Sequence, residues 1–266
     1  REVYASNGIT TAQDGASSPE TIGLMQAADA QGMINLDIIS YPIGQNGLDE
    51  NLNSIDFGNY EGRLKIGGIK LILDGSPQGK TAYLTEPYYK PPHNESDSYK
   101  GYPLIPQSEV SKWVKKYADL NIPIMAHANG DAAADMLIKA VKDANITSDH
   151  RTIMIHAQTV REDQLDQMNE LKIIPSYFST HTFYWGDWHR DSVFGQDRAM
   201  RISPTKSTLN RKMPFTVHND APVVPPDMIR LLWSTTNRKT RSGKVLGEEQ
   251  KISTYEALKA ITINAA

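Results

Sequence analysis

Short apolar runs recur along the chain, each followed by a longer stretch of helical or polar character. The runs Gly8–Asp14, Met33–Pro42, Gly67–Ser76, Ile122–Asp131, Arg151–Gln158, Lys172–Thr180 and Pro214–Pro222 read as seven strands. The first leads into a helix opened by Pro19 and Glu20, the fourth into AAADMLIKAVKDA and the fifth into REDQLDQMNELK. Strands that alternate with helices predict parallel βα units. Two stretches break the rhythm. Thr81–Gln107 is rich in Pro and Tyr and has no period, so it reads either as a functional loop or as an excursion packed by its own tyrosines. From His181 to about Arg201 a second long loop is aromatic and charged. Asp131, before a run of alanines, reads as the cap of its helix.

Seven βα strands are one short of a (β/α)8 TIM-type barrel, with an open doubly wound sheet as the rival. The polar residues decide between them. Apolar runs end in Asp14, Asp74, His127, His156 and Asp220, each at the carboxyl end of its strand. A barrel carries its site on that face, over many strands, whereas an open sheet concentrates it at one switch point. An α/β barrel, incomplete at about seven of eight strands, is therefore expected. No repeat or linker divides the chain, so residues 1–266 read as a single domain. The chain begins at Arg1 rather than Met, and its last segment opens as a helix at Ser253 and Glu256 with no stop signal. Both ends predict an excerpt from a longer protein, truncated at each terminus, and leave localisation open.

Composition narrows the chemistry. There are 28 Lys and Arg against 31 Asp and Glu, a net charge of −3, without the basic excess of a nucleic-acid binder. No apolar run approaches the roughly 18 residues of a membrane span. With no cysteine there can be no disulfide, thiolate zinc site or cysteine nucleophile. Any metal must be held by His, carboxylate or a modified side chain. No GxGxxG follows the first strand, so a dinucleotide site has no support.

His127 and His156 close successive strands, which neighbouring barrel strands bring together; they are either metal ligands or structural histidines. Lys70 lies in mid-strand, sharing a face with Ile72 and Asp74. A buried ammonium must be paired, neutralised or chemically changed. It is either half of a Lys–Asp pair or a carbamate, formed with carbon dioxide, that bridges two metal ions. Asp220 can ligate a metal and carry a proton, or simply anchor its Pro-rich turn.

IKLILDGS, MAHANGDAAAD, IHAQ and VHNDAPV, in that order, resemble the amidohydrolase superfamily, specifically amidohydrolase family 3, the YtcJ-like metal-dependent hydrolases. The similarity runs from GITTAQDG to ALKAITINAA. It implies a distorted (β/α)8 barrel with a small β-sandwich built from the chain's ends. Residue by residue it implies a carboxylated, bridging Lys70, metal-ligating His127 and His156, and Asp220 as ligand and proton shuttle. Asp74 and His181 match positions near the substrate, with loop anchoring as the other reading. The expected cofactor is one or two divalent metal ions, zinc foremost, with carbon dioxide held as the Lys70 carbamate. Two departures stand out. The family's strand-one His-x-His is absent from the seven histidines 93, 127, 150, 156, 181, 189 and 218. His218-Asn219 also stands where many relatives have Gly-Ser; His218 either reaches the metal or substrate or, the preferred reading, fills the barrel end.

The implied activity is hydrolysis of a C–N bond in a small-molecule amide, formamide or cyclic amide by metal-activated water, with the excerpt alone inactive. A barrel glycosidase would leave Lys70, His127 and His156 unexplained. A non-catalytic binding or regulatory protein on a degenerate barrel is the alternative from another class. Exposed sheet edges would invite a homo-oligomer.

Overall fold

Each of the seven apolar runs overlaps a strand in the computed structural model, which describes residues 2–44, 55–146 and 149–266. In chain order the elements are α1 (Glu2–Ser6), β1 (Thr11–Ser17), α2 (Pro19–Ala30), β2 (Asp37–Pro42), β3 (Tyr60–Glu61), β4 (Leu64–Ile66), β5 (Ile69–Ile72) and α3 (Gln107–Asp119). Then follow β6 (Ile124–Ala128), α4 (Asp131–Ala144), β7 (Ile153–His156), α5 (Glu162–Glu170) and β8 (Ile174–Tyr177). The short helices α6 (His181–Tyr184), α7 (Gly186–Trp188), α8 (Gln196–Met200) and α9 (Thr205–Asn210) precede β9 (Thr216–Val217), α10 (Met228–Asn237) and α11 (Thr254–Ala260).

The strands run parallel in the order β5-β6-β7-β8-β9, while β2 lies between β1 and β4. A parallel bridge between Ile43 and Lys70 joins the two sets. β4 and β5 are thus two halves of one strand, interrupted at Gly67-Gly68. A Cβ at Gly68 would fall on the Pro123 carbonyl, so only glycine lets this strand approach β6 there. β3 folds back antiparallel on β4. Among the described residues β1 and β9 do not pair, and the barrel stays open between them. No helix among these residues is long and apolar enough to cross a membrane.

Alternation along the strands divides the core. Ile69, Leu71 and Leu73, with Ile124, Ala126, Ala128, Met154, Tyr177 and Val217, face outward against the helices. There they meet Val110 and Val114 of α3, Leu137 of α4 and Leu165 of α5. Each such fully buried aliphatic side chain contributes about 1.5–3 kcal/mol. On the inner face Tyr41, Met125 and Ile155 form a small apolar floor. Lys70, His127 and Ser176 share that inner face, and the site lies there.

Three expectations are corrected. The second loop is not irregular: α6, α7, a π-helical turn over His189–Val193 and α8 fill it. Pieces of three to five residues are too short to show a helical period. The terminal helix is capped by Ser253, which accepts from the Glu256 amide at 3.2 Å, but it closes at Ala260 rather than running on. Asp14 lies inside β1, which extends to Ser17, and its carboxylate accepts from Ser17 Oγ at 2.8 Å.

The Pro/Tyr-rich stretch has no regular element but is tightly held. Tyr88 stacks on Tyr99 at 5.6 Å, and their hydroxyls donate to the Ala82 and Lys80 carbonyls at 2.7 and 2.9 Å. The Tyr89 and Lys90 amides donate to the Val193 and Ser192 carbonyls, binding this loop to the π-helical turn. Leu84, Tyr88, Val193, Phe194, Ala199, Ile202 and Leu246 form a second core between the two segments. Together they make one fixed roof.

Candidate metal centre

Lys70 sits deepest, on β5, in register with Met125 of β6. Its face is the inner one, so its amine projects into the barrel rather than among the helices. Burial pushes the ammonium down to about 8, against the pull of Asp220. His127 follows two residues above Met125, in register with Ile72 and Ile155.

His156 ends β7, and alternation alone would send it outward with Met154. Its φ of 74°, followed by 44° at Ala157, breaks the alternation. The ring instead lies edge-on to His127, with centroids 4.5 Å apart, and 5.1 Å from His218. A left-handed backbone at a non-glycine residue is strain of the kind that gathers at functional sites.

His218 and Asp220 follow β9. Thr216 shares the inner face with His218, while Phe215 and Val217 are in the outer core. His218 therefore points into the barrel end. Its Nε2 is 3.2 Å from His156 Nδ1, and its Nδ1 is 2.8 Å from Ser176 Oγ. Asp220 also has a left-handed backbone, φ 56°. Ligand atoms of His156, His218 and Asp220 lie within 4.8 Å of one another, the cluster among the described residues able to hold a metal ion.

Burial governs the charges here. It pushes His156 well below its ordinary value, helped by His127 and His218, and takes His218 down to about 3. Both imidazoles are held neutral, with lone pairs available to a metal. Burial raises the Asp220 carboxyl against the opposing pull of Lys70 and His127. Neutral imidazoles and a carboxylate are a donor set for a borderline transition metal, so the residues present fit one.

Asp74 stands just behind this group and is fully engaged. One oxygen faces His127 Nδ1 at 3.1 Å and accepts from the Asn129 amide at 3.0 Å. The other accepts from the Tyr83 and Gly130 amides at 3.0 and 2.8 Å. A carboxylate can only accept, so His127 carries its proton on Nδ1 and keeps the lone pair on Nε2, which faces Asn129 Nδ2 at 3.3 Å. In this arrangement Asp74 anchors the roof and orients His127. Gly130 permits it, because a Cβ there would fall on the Tyr83 carbonyl.

His181, the first residue of α6, is buried behind Phe178, whose ring meets His181 at 4.3 Å, His218 at 5.6 Å and His156 at 6.2 Å. His181 Nδ1 has no hydrogen-bond partner, and its ring stacks on His189 at 5.3 Å. Asp131 is the first residue of α4 rather than its cap, which is Gly130. Its carboxylate holds the Thr85 amide at 2.9 Å and its hydroxyl, with Arg161 at 3.3 Å, and so ties down the roof.

Comparison with known proteins bears on this geometry. The sequence model of the Amidohydrolase family matches residues 2–266. YtcJ of Bacillus subtilis (strain 168) is 24% identical over 209 residues, 76% of this chain and 38% of YtcJ. The N-substituted formamide deformylase of Arthrobacter pascens is 22% identical over 275 residues, 99% of this chain and 49% of that enzyme. The crystal structure of an uncharacterized metal-dependent hydrolase from Pyrococcus horikoshii OT3 matches all of this chain and 53% of its own, with a TM-score of 0.84 at 24% identity. The chain spans about half, or less, of the length of these relatives.

Proposed function

The chain belongs to the amidohydrolase family, and on that footing we propose that it supplies the metal centre of a hydrolase cleaving the C–N bond of a small amide, formamide or cyclic amide. The observation that carries this is the convergence of His156, His218 and Asp220 within 4.8 Å, with Lys70 and His127 on the adjoining strands. The 22% identical relative that deformylates N-substituted formamides supports the choice of bond.

The residues that would hold the metal are Lys70, His127, His156 and Asp220. A divalent ion held there, zinc foremost, would supply a Lewis acid to polarise the scissile carbonyl and bring the pKa of bound water down to about 7. Lys70, pushed down to about 8, keeps part of its population as neutral amine near pH 7. Neutral amine is the form that takes up carbon dioxide, and the resulting carbamate turns a costly buried cation into an anionic ligand. Asp74 holds His127 in the tautomer a ligand needs. Asp220, its proton affinity raised by burial, takes the proton of the attacking water and returns it to the leaving nitrogen. Asp74 and His181 bear on the substrate through the walls they build, by way of Tyr83 and Phe178.

The test is metal content by plasma mass spectrometry on the full-length protein grown with zinc and bicarbonate, joined to turnover of a panel of formamides, secondary amides and cyclic amides. Two ions per chain with turnover are expected. One ion with turnover keeps hydrolysis and removes the bridging role from Lys70. Neither metal nor turnover would refute the hydrolase and leave a binding protein on the same scaffold.

A further inference from the structure

We propose that His218 is itself a metal ligand, binding through Nε2 beside His156 Nδ1 and the Asp220 carboxylate to make a three-point site for a divalent transition metal. The inference rests on the reading of this site as a metal centre, and adds a ligand to it.

The spacing is the first ground. Two imidazole nitrogens bound to one tetrahedral ion at 2.0–2.1 Å stand about 3.3 Å apart. His218 Nε2 and His156 Nδ1 are 3.2 Å apart. Asp220, two residues along the same segment, completes a set whose ligand atoms all lie within 4.8 Å. Three donors from two segments, the ends of β7 and β9 on either side of β8, leave one side of an ion open, as a catalytic rather than structural centre requires.

The second ground is what lies behind the ring. His218 Nδ1 is 2.8 Å from Ser176 Oγ, which accepts a hydrogen bond from Thr216 Oγ1 at 2.7 Å. Ser176 has a second lone pair for an Nδ1 proton, and that tautomer presents the Nε2 lone pair to the site. Ligating histidines almost always donate their other ring N–H to such an oxygen. An inner-face position packed only to fill space would need neither contact. The competing arrangement is a plain hydrogen bond from His218 Nε2–H to His156 Nδ1, with Ser176 donating to His218 Nδ1.

Titration of the metal-free protein with cobalt(II), read by its visible ligand-field absorption, separates these arrangements. Wild type should bind cobalt, and His218→Phe should weaken binding roughly tenfold or more and move the bands. A second measurement needs no variant: in protein labelled with 15N-histidine and titrated with zinc, His218 Nε2 and His156 Nδ1 should shift together. Should wild type take up neither metal, the metal-centre reading fails and this inference with it. Should it bind metal while His218→Phe keeps the same affinity and bands and the His218 nitrogens stay still, the centre stands and His218 is no ligand.

Discussion

Asp74→Asn tests the account of how the site is held. The two shapes are nearly the same, so packing is unchanged, but an amide has one acceptor where the carboxylate has two. In wild type each oxygen takes two donors, His127 and Asn129 on one and Tyr83 and Gly130 on the other. Whichever way the amide turns, its NH2 faces one of these pairs of N–H groups, and two hydrogen bonds are lost together. Bonds to a charged group contribute about 1.5–3 kcal/mol each, so the loss is about 3–6 kcal/mol. At 2–4 °C per kcal/mol for chains near this size, the melting midpoint should fall by roughly 6–24 °C. Thermal unfolding followed by circular dichroism gives the number, with exposed Asp97→Asn expected within about 0.5 kcal/mol as the control. A melting curve for Asp74→Asn that overlays that of wild type would refute the claim that this carboxylate binds the roof to β6.

Other consequences follow from the same contacts. Arg238 is fully buried and donates to the Leu246, Ser203 and Ile202 carbonyls at 2.7, 3.1 and 2.6 Å, so Arg238→Ala should cost about 3–5 kcal/mol in urea unfolding, with Arg238→Lys intermediate. Burial takes His189 down to about 3, so it stays neutral when folded while the unfolded imidazole protonates near 6.5. Its contribution is whole above pH 6.5 and is lost as pH falls toward 3, by about 2 kcal/mol at pH 5. Wild type should therefore lose about that much more than His189→Gln between pH 7 and pH 5 in urea titrations, and equal losses would contradict the burial argument. Gly130→Ala would drive a methyl into the Tyr83 carbonyl and should cost about 1–3 kcal/mol or more in the same assay.

The strands were legible because parallel strands covered on both faces must be apolar at nearly every position, and such runs stand out from the helices between them. The inner and outer faces were legible by parity, which is how Lys70 could be set apart from Ile69 and Leu71. The roof was not legible. Its hold comes from backbone groups, the Tyr89 and Lys90 amides on the Val193 and Ser192 carbonyls, and every residue type has those. The helical pieces after His181 were hidden because none completes two turns.

The two histidines of the cluster show opposite limits of the parity argument. For His218 the pattern was present in Phe215-Thr216-Val217-His218, apolar and polar by turns, and it turns the ring inward beside Ser176 as observed. For His156 parity points the wrong way, since Met154 on the same face is in the outer core. The left-handed backbone at His156 and Ala157 reverses it, and no residue pattern announces that conformation in a histidine followed by an alanine. Regular strands deliver side chains to one face at intervals of two, about 6.6 Å, too coarse to bring donors from β7 and β9, which flank β8, to 3.2 Å by register alone. Closing that distance takes a residue whose backbone leaves the strand, and His156 does so at positive φ, a conformation that the third ligand of the cluster, Asp220, shares. The strain at these positions is thus the means by which an ordinary βα scaffold gathers its ligands, and it sits where the strands end because only there can the ladder yield it.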